Sequence, residues 1–182
     1  MNSPSKYSVS PNLLSILLCI VCLTTITVAG ENKNTVFITG ANRGIGLEYA
    51  KQYTTAGWNV IGTARKPEEA QELKATGAEI IKLDVTNDDD ITEMQKALQG
   101  KKIDLLINNA GVYLRDSDRK SLEFSFSVNT AGPLLIAEAL IPNLKKSNNP
   151  KIVNVSSRTS ILTDGSGKSN AYAISKLSLI HI

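Results

Sequence analysis

The 182-residue chain is 42% hydrophobic and 20% charged, which is an ordinary composition for a soluble globular protein. Its net charge of +3 is small and evenly spread, which argues against a nucleic-acid-binding protein. The one histidine is His181, and the two cysteines, Cys19 and Cys22, lie in an N-terminal apolar run. A Cys/His zinc site, a histidine-based catalytic triad and a disulfide framework inside the domain are therefore excluded, and no metal site is expected.

Residues 1–30 differ in composition from the rest of the chain. Lys6 precedes a nearly continuous apolar run over residues 13–28, and small residues follow it. This order is typical of a secretory signal peptide, which would direct residues 31–182 to the secretory pathway or the periplasm. An uncleaved membrane anchor and a mis-assigned start, which would leave the protein cytoplasmic, are the alternatives. A membrane is expected as a partner only if the segment stays uncleaved.

The remaining residues alternate short apolar runs with helical patterns. Repeated strand–helix units of this kind indicate an α/β domain with helices on both faces of a doubly wound parallel sheet. Strands are predicted at residues 36–38, 59–64, 79–83, 103–107 and 151–156. Helices are predicted at residues 47–55, 67–76, 87–98 and 121–145, and around 172–176.

A glycine-rich turn follows the first predicted strand. Gly40 permits a sharp exit from the strand, Gly44 leaves room for a ligand beside the backbone, and Gly46 lets helix and strand pack closely. The free N–H groups and the positive dipole end of the next helix then face one spot, where a pyrophosphate can bind. Three glycines alone do not distinguish a phosphate site from an ordinary strand–helix turn.

Small or polar residues also follow the other predicted strands. Ligands of doubly wound sheets bind beyond the carboxyl ends of the strands, so these residues are expected to line one crevice. Farther along, Tyr172 and Lys176 lie four residues apart on one face of a helix, which by itself is also the spacing of an exposed surface pair. The strand-end segments are Thr63-Ala64-Arg65, Asp84-Val85, Asn108-Asn109-Ala110-Gly111 and Ser156-Ser157.

Together these motifs resemble the short-chain dehydrogenase/reductase family, a group of NAD(P)-dependent oxidoreductases with a Rossmann fold. The resemblance extends over residues 34–177 and is greatest to the C-factor and carbonyl-reductase branch. Members of the family continue well beyond the position of Ile182, which implies a truncated chain whose Rossmann domain, residues 31–182, is incomplete at its C-terminal end. The matching motifs are Thr39-Gly-x-x-x-Gly44-x-Gly46, Asp84, Asn108-Asn-Ala-Gly111, Asn129, Ser157 and Tyr172-x-x-x-Lys176.

The resemblance implies four catalytic residues. Tyr172 would exchange a proton with the oxygen of a small carbonyl or alcohol substrate, and Lys176 would hold the nicotinamide ribose. Asn129 would position a water molecule, and Ser157 would hydrogen-bond the substrate oxygen. A free phenol is too weak an acid for efficient proton exchange at neutral pH, and an ammonium one helical turn away favours the phenolate. Alternatively, Asn129 could cap or kink the long helix, and Ser156 and Ser157 could be simple strand-end hydroxyls.

Charge near the second strand favours NADP(H) over NAD(H). NAD sites place an acid about 20 residues past the glycines, but residues 63–65 contain no acid. Arg43 and Arg65 could bind a 2′-phosphate instead, or they could be ordinary surface charges. By resemblance, the cofactor-binding residues are Gly40, Asn42, Arg43, Gly44, Ile45, Gly46, Arg65, Asp84, Val85, Asn108, Ala110, Gly111, Tyr172 and Lys176.

The leading hypothesis is an oxidoreductase that transfers a hydride between NADP(H) and a carbonyl or alcohol substrate. The full-length form could be a homo-oligomer. A second hypothesis is a catalytically impaired fragment that binds a nucleotide or a protein partner. A third is an extended sugar-nucleotide epimerase, which shares the Tyr-x-x-x-Lys pattern. The three residues between Gly40 and Gly44 argue against the third, because by resemblance the extended group has two.

Overall fold

Five parallel strands and the helices between them make up the described part of the chain, residues 33–161 and 170–182 of a computed structural model. Short 3₁₀ turns lie at Pro67–Glu69 and Arg158–Ser160. The elements are β1 Thr35–Ile38, α1 Gly44–Thr55, β2 Asn59–Ala64, α2 Gln71–Ala75, β3 Glu79–Lys82, α3 Asp88–Ala97, β4 Leu105–Asn108, α4 Arg119–Phe126, α5 Gly132–Leu144, β5 Lys151–Asn154 and α6 Ala171–Leu179.

The strand order is β3-β2-β1-β4-β5, and every neighbouring pair is parallel. The chain crosses from β3 back to the other side of β1, so the order reverses between β1 and β4. In open sheets of this kind the ligand crevice opens at that reversal, beyond the carboxyl ends of the strands. The predicted fold class, a Rossmann-type doubly wound parallel sheet, is confirmed.

Strand β1 is buried on both faces because its alternate side chains enter two apolar clusters. On one face, Phe37 packs with residues of β4, α3 and α5, among them Leu106, Met94, Ile136 and Leu140. On the other face, Val36 and Ile38 pack with residues of α1 and α2, among them Leu47, Ala50 and Leu73. The central strand and the turn that follows it are thereby fixed from both sides.

The long helix predicted at residues 121–145 is helical but not uniformly α-helical. A π turn over Ser127–Ala131 separates α4 from α5, and Gly132 N–H bonds to the carbonyl of Ser127, five residues back. Pro133 explains the wider turn, because it has no N–H to donate to the carbonyl of Asn129, four residues earlier.

By length and composition, the run Arg119–Leu144 would also suffice to cross a membrane. Its α5 part, however, buries Ile136, Leu140 and Leu144 in the domain core. Core helices of soluble proteins pass the same test, so this run gives no argument for a membrane span.

Most other elements differ from their predicted bounds by one to three residues; β5, for example, ends at Asn154 rather than at residue 156. Two further differences have a visible cause. The predicted helix at residues 67–76 is a 3₁₀ turn followed by the short helix α2, because the backbone of Ala70 leaves the helical region between them. The fourth strand begins at Leu105 rather than at residue 103, since Asp104 turns its carboxylate onto the N–H of Thr35 at 2.8 Å.

Candidate active site

The turn after β1 requires glycine at three positions, for two reasons. Gly40 and Gly44 have φ angles of 63° and 57°, in the left-handed region that side chains other than hydrogen disfavour. Gly46 is constrained by space instead, because a Cβ there would overlap the carbonyl oxygen of Gly40 and the Nδ2 atom of Asn109. A Cβ on Gly44 would meet nothing within 4 Å, so this part of the turn faces open space.

The N-terminus of α1 has no capping side chain. Arg43 occupies the N-cap position and accepts no hydrogen bond there, and the first turn contains no acid. Three other helices, α3, α4 and α6, are capped by the side chains of Asn87, Asp118 and Asn170. The first-turn N–H groups of α1 therefore remain available to a ligand, and a helix N-terminus with free donors attracts anions.

Side chains lock the turn after β1 onto the turn after β4. The Thr39 hydroxyl oxygen accepts from the N–H groups of Asn109 and Ala110 at 2.9 and 3.0 Å. In return, Asn109 Nδ2 donates to the carbonyls of Thr39 and Gly40 at 3.0 and 3.1 Å. Sequence reasoning assigned no role to Thr39 or Asn109, although both stand inside the matching motifs.

A cleft of about 890 Å³ opens at these turns, a volume within the range of ligand pockets, roughly 300–1,000 Å³. Its lining combines the β1 turn with the ends of β2, β3 and β4. The sequence-predicted cofactor residues that line it are Gly40, Asn42, Arg43, Gly44, Ile45, Arg65, Asp84, Val85, Ala110 and Gly111.

Four predicted cofactor residues lie outside the lining: Gly46, Asn108, Tyr172 and Lys176. Gly46 is buried where α1 meets the two turns. Asn108 is 2% exposed, and its Nδ2 donates to Asn154 Oδ1 at 2.9 Å and to the carbonyl of Pro133 at 3.3 Å. Asn108 thus ties β4 to β5 and to the start of α5 instead of facing the cleft.

The cleft carries two arginines without a described partner. Among residues 33–161 and 170–182, neither Arg43 nor Arg65 makes a hydrogen bond or ion pair to another side chain. Lys66, which also lines the cleft, pairs with Glu69 at 2.7 Å. The Asp84 carboxylate accepts from the N–H and the hydroxyl of Thr86. Arg43 and Arg65 are thus the cations of this lining that remain open to an anion.

Helix α6 brings the predicted tyrosine and lysine to the same region. The ring of Tyr172 lies edge-on to that of Tyr113, with 4.8 Å between centroids. Lys176 is 4% exposed, and its ammonium donates to the carbonyl of Val155 at 2.7 Å. Burial lowers the pKa of Lys176, because desolvation disfavours the charged form. A Cβ placed on Gly111, in the cleft wall, would lie 3.5 Å from Lys176 Nζ.

The Asn129 side chain is fully buried within the π turn. Its Oδ1 accepts from the N–H of Val112 at 2.8 Å, and its Nδ2 donates to the carbonyl of Val112 at 2.9 Å and to Ser175 Oγ at 3.0 Å. Both amide protons are therefore used within the protein. The amide joins the cleft wall to α6. Asn129 also lies in the π turn, where the long helix departs from α-helical geometry.

The two serines after β5 have different surroundings. Ser156 Oγ donates to the carbonyl of Lys176 at 3.1 Å and contacts Ser160 Oγ, so it supports α6. Among the described residues, Ser157 Oγ hydrogen-bonds only within its own turn, where it accepts from the N–H of Thr159 at 3.2 Å. Residues 162–169, between Ser157 and α6, lie outside the described residues.

Comparisons with known proteins agree with this geometry. The family model described as short chain dehydrogenase matches residues 34–182. Human retinol dehydrogenase 11 is 33% identical over 165 residues, covering 83% of this chain and 50% of its own. (+)-Neomenthol dehydrogenase of Arabidopsis thaliana is 30% identical, covering 71% and 55%. A short-chain dehydrogenase structure from Streptomyces avermitilis has a TM-score of 0.73 and 30% identity, covering 83% and 57%.

The chain spans about half the length of the curated relatives it matches. The greater similarity to the C-factor and carbonyl-reductase branch stays a prediction. The family assignment rests on a match over nearly all of the described residues, on the parallel sheet order and on similarity to proteins named as dehydrogenases. The chain belongs to the short-chain dehydrogenase/reductase family of oxidoreductases.

Proposed function

We propose that this chain contributes the nucleotide-binding and catalytic residues of an oxidoreductase that transfers a hydride between NADP(H) and a carbonyl or alcohol substrate. The observation that supports it most is the position of Lys176 and Asn129 against Gly111, in the wall of the cleft where α1 presents its uncapped N-terminus. An anion-binding end and a tyrosine–lysine helix therefore adjoin one cavity.

The cleft fits a phosphorylated dinucleotide by the chemistry of its donors. First-turn N–H groups of α1 would bind the pyrophosphate beside Gly44, where the backbone faces open space. Arg43 and Arg65 would bind the 2′-phosphate, because guanidinium groups match its charge and geometry. Asp84 and Val85 would contact the adenine. When bound, the nicotinamide would supply or accept the hydride.

Residues of this chain would then carry out the proton transfer. Tyr172 would donate a proton to the carbonyl oxygen during reduction and remove it during oxidation. The Lys176 ammonium, held by the Val155 carbonyl, would stabilise the phenolate that forms. Ser157 would donate a hydrogen bond to the same substrate oxygen; within the described part of the chain, its hydroxyl bonds only to Thr159 of its own turn.

The test measures NADPH binding by fluorescence and aldehyde reduction by the loss of nicotinamide absorbance. Tyr172→Phe is expected to lower turnover about 10²–10⁴-fold, because the proton donor is removed while the ring stays. NADPH binding should persist. Tyr49→Phe, on α1 outside the cleft lining, is the matched control. Full turnover in Tyr172→Phe would contradict the proposal.

A second candidate function is binding of a nucleotide or a protein partner without turnover. It is favoured by strand β5, where the apolar side chains of Ile152 and Val153 are 48% and 43% exposed. Tight NADPH binding with no turnover in the wild-type chain, over a panel of aldehydes and ketones, would support this candidate over the first.

We also propose that residues 1–30 act as a signal peptide and that residues 31–182 form the mature domain. The basic, apolar and small-residue order of the segment supports this. Residues 1–32 lie outside the described residues. Intact-mass measurement of the protein recovered from the exported fraction is expected to show cleavage after Gly30. An unprocessed mass in a membrane fraction would favour the anchor, and an unprocessed soluble protein would favour a cytoplasmic location.

A further inference from the structure

A continuous set of hydrogen bonds runs from the cleft wall to the helix that carries Tyr172, and Ser175 stands in its middle. Val112, in the cleft wall, binds the Asn129 amide through both its N–H and its carbonyl. Asn129 Nδ2 donates to Ser175 Oγ at 3.0 Å, and Ser175 Oγ donates to the carbonyl of Tyr172 at 2.8 Å.

We propose that Ser175 is a positioning residue, which sets the place of Tyr172 relative to the cleft by bonding its carbonyl to the Asn129 amide. The proposal rests on the proposed function, in which Tyr172 handles the proton. Ser175 itself is not placed against substrate or cofactor. It acts through the backbone of Tyr172 and through Asn129.

Burial supports a specific role for this hydroxyl. Ser175 is fully buried, and a buried hydroxyl costs free energy unless it is hydrogen-bonded. Its one proton goes to the Tyr172 carbonyl, and its oxygen accepts from Asn129. An alanine in its place would leave one Asn129 proton without its acceptor inside the protein.

The same turn of α6 is fixed by two further side chains. Thr130 Oγ1 donates to the carbonyl of Ser175 at 2.9 Å, and Ser156 Oγ donates to the carbonyl of Lys176 at 3.1 Å. These contacts hold the carbonyls of Ser175 and Lys176 and do not reach that of Tyr172. Only the Ser175 hydroxyl, among the described contacts, joins the Tyr172 carbonyl to the Asn129 amide.

The experiment compares Ser175→Ala with Ser178→Ala in the full chain. Ser178 lies on the same helix, and its hydroxyl donates to the carbonyl of Ile174 without contacting Asn129. In Ser175→Ala, kcat for aldehyde reduction is expected to fall about tenfold, because a small misplacement of a reacting group costs one to two orders of magnitude. KM for NADPH should change less than twofold. Ser178→Ala should keep both constants.

A measurement that needs no turnover separates this proposal from the proposed function. With tyrosines labelled at the ζ carbon, the Tyr172 resonance is assigned by its loss in Tyr172→Phe. That resonance is sensitive to ring placement, because the Tyr113 ring lies 4.8 Å away. It is expected to shift or broaden in Ser175→Ala and to stay unchanged in Ser178→Ala.

The Tyr172 resonance decides the proposal, and kcat measures its consequence. An unchanged Tyr172 resonance in Ser175→Ala would overturn it whatever the value of kcat, even if the variant melts at a lower temperature. If the wild-type chain shows no turnover, the proposed function fails and the resonance alone decides the positioning role. If Ser175→Ala does not fold, Ser175→Cys takes its place, since a thiol is a weaker hydrogen-bonding group of similar shape. Its Tyr172 resonance must then differ from that of Ser178→Ala.

Discussion

On one side of the cleft, α1 and the ends of β1, β2 and β3 present backbone groups and the side chains of Arg43 and Arg65, whereas on the other side β4, α6 and the π turn are joined by side-chain hydrogen bonds. The first side depends on glycine conformations and on N–H groups at an uncapped helix end. The second side depends on the buried side chains of Asn129 and Ser175 and on the half-buried hydroxyl of Ser156. We therefore expect the two proposed tasks, nucleotide binding and alignment of the proton donor, to be separable by mutation.

Gly46→Ala is expected to disrupt the glycine turn on the first side of the cleft, and its effect on stability and NADPH binding should be the largest. The added Cβ would overlap the Gly40 carbonyl and the Asn109 amide, so the β1 and β4 turns must separate. We expect a loss of more than about 3 kcal/mol in the free energy of unfolding and no measurable NADPH binding. Urea denaturation and fluorescence titration check both. Gly57→Ala, whose Cβ would meet open space at a φ of 81°, should cost only about 1 kcal/mol from backbone strain.

Asn129→Ala is expected to disrupt the hydrogen bonds that join the π turn to α6 on the second side of the cleft. It removes three hydrogen bonds, two to the half-buried backbone of Val112 and one to the buried Ser175 hydroxyl. The free energy of unfolding should fall by about 3 kcal/mol, since each intramolecular hydrogen bond contributes about 1 kcal/mol. Turnover of the folded fraction should fall further than NADPH affinity. Asn148→Ala, at an exposed position, should change neither. Equal losses of affinity and turnover in Asn129→Ala would mean that the two sides are not separable.

Arg65→Ala tests whether the Arg65 guanidinium makes the first side of the cleft prefer NADPH to NADH. Removing a guanidinium from the 2′-phosphate should weaken NADPH binding by about tenfold to a hundredfold, because a hydrogen bond to a charged group contributes about 1.5–3 kcal/mol. NADH binding should hardly change. Arg119→Ala, whose guanidinium pairs with Glu123 on α4 outside the cleft lining, is the control. Equal losses for both nucleotides would contradict the 2′-phosphate assignment.

The smallest expected effect concerns a carboxylate that supports the first side. A hydrogen bond from Lys82 and then one from the Asp84 N–H hold the pKa of Asp90 below its usual range. A carboxyl whose pKa is lower in the folded state stabilises the fold above its unfolded pKa of about 3.9 and loses that contribution as the pH falls. Stability should therefore drop below about pH 4, and Asp90→Asn should drop less between pH 7 and pH 3 in urea denaturation. An identical pH profile in the variant would contradict this role.

The same contrast explains how much of the molecule could be predicted from the sequence. The parallel sheet and the glycine turn are encoded locally, by short apolar runs and by residues that must adopt unusual backbone angles. The bond of Asn129 to Ser175 joins residues 46 apart, so no local pattern indicates it. The π turn did have a local signal, the proline at position 133, which was not interpreted. Asn108 was placed in the cleft by its motif, whereas burial turned its amide towards Asn154.

The bonds between Thr39 and Asn109 connect parts of the chain 70 residues apart. The cavity therefore exists only while β1 and β4 are paired at the centre of the sheet, and it cannot persist in a partly opened molecule. Any ligand that fills it is thermodynamically linked to unfolding of the whole sheet, so the melting temperature should rise with the logarithm of ligand concentration. If the ligand is a nucleotide, the resistance of the protein to proteolysis would then increase with the nucleotide concentration.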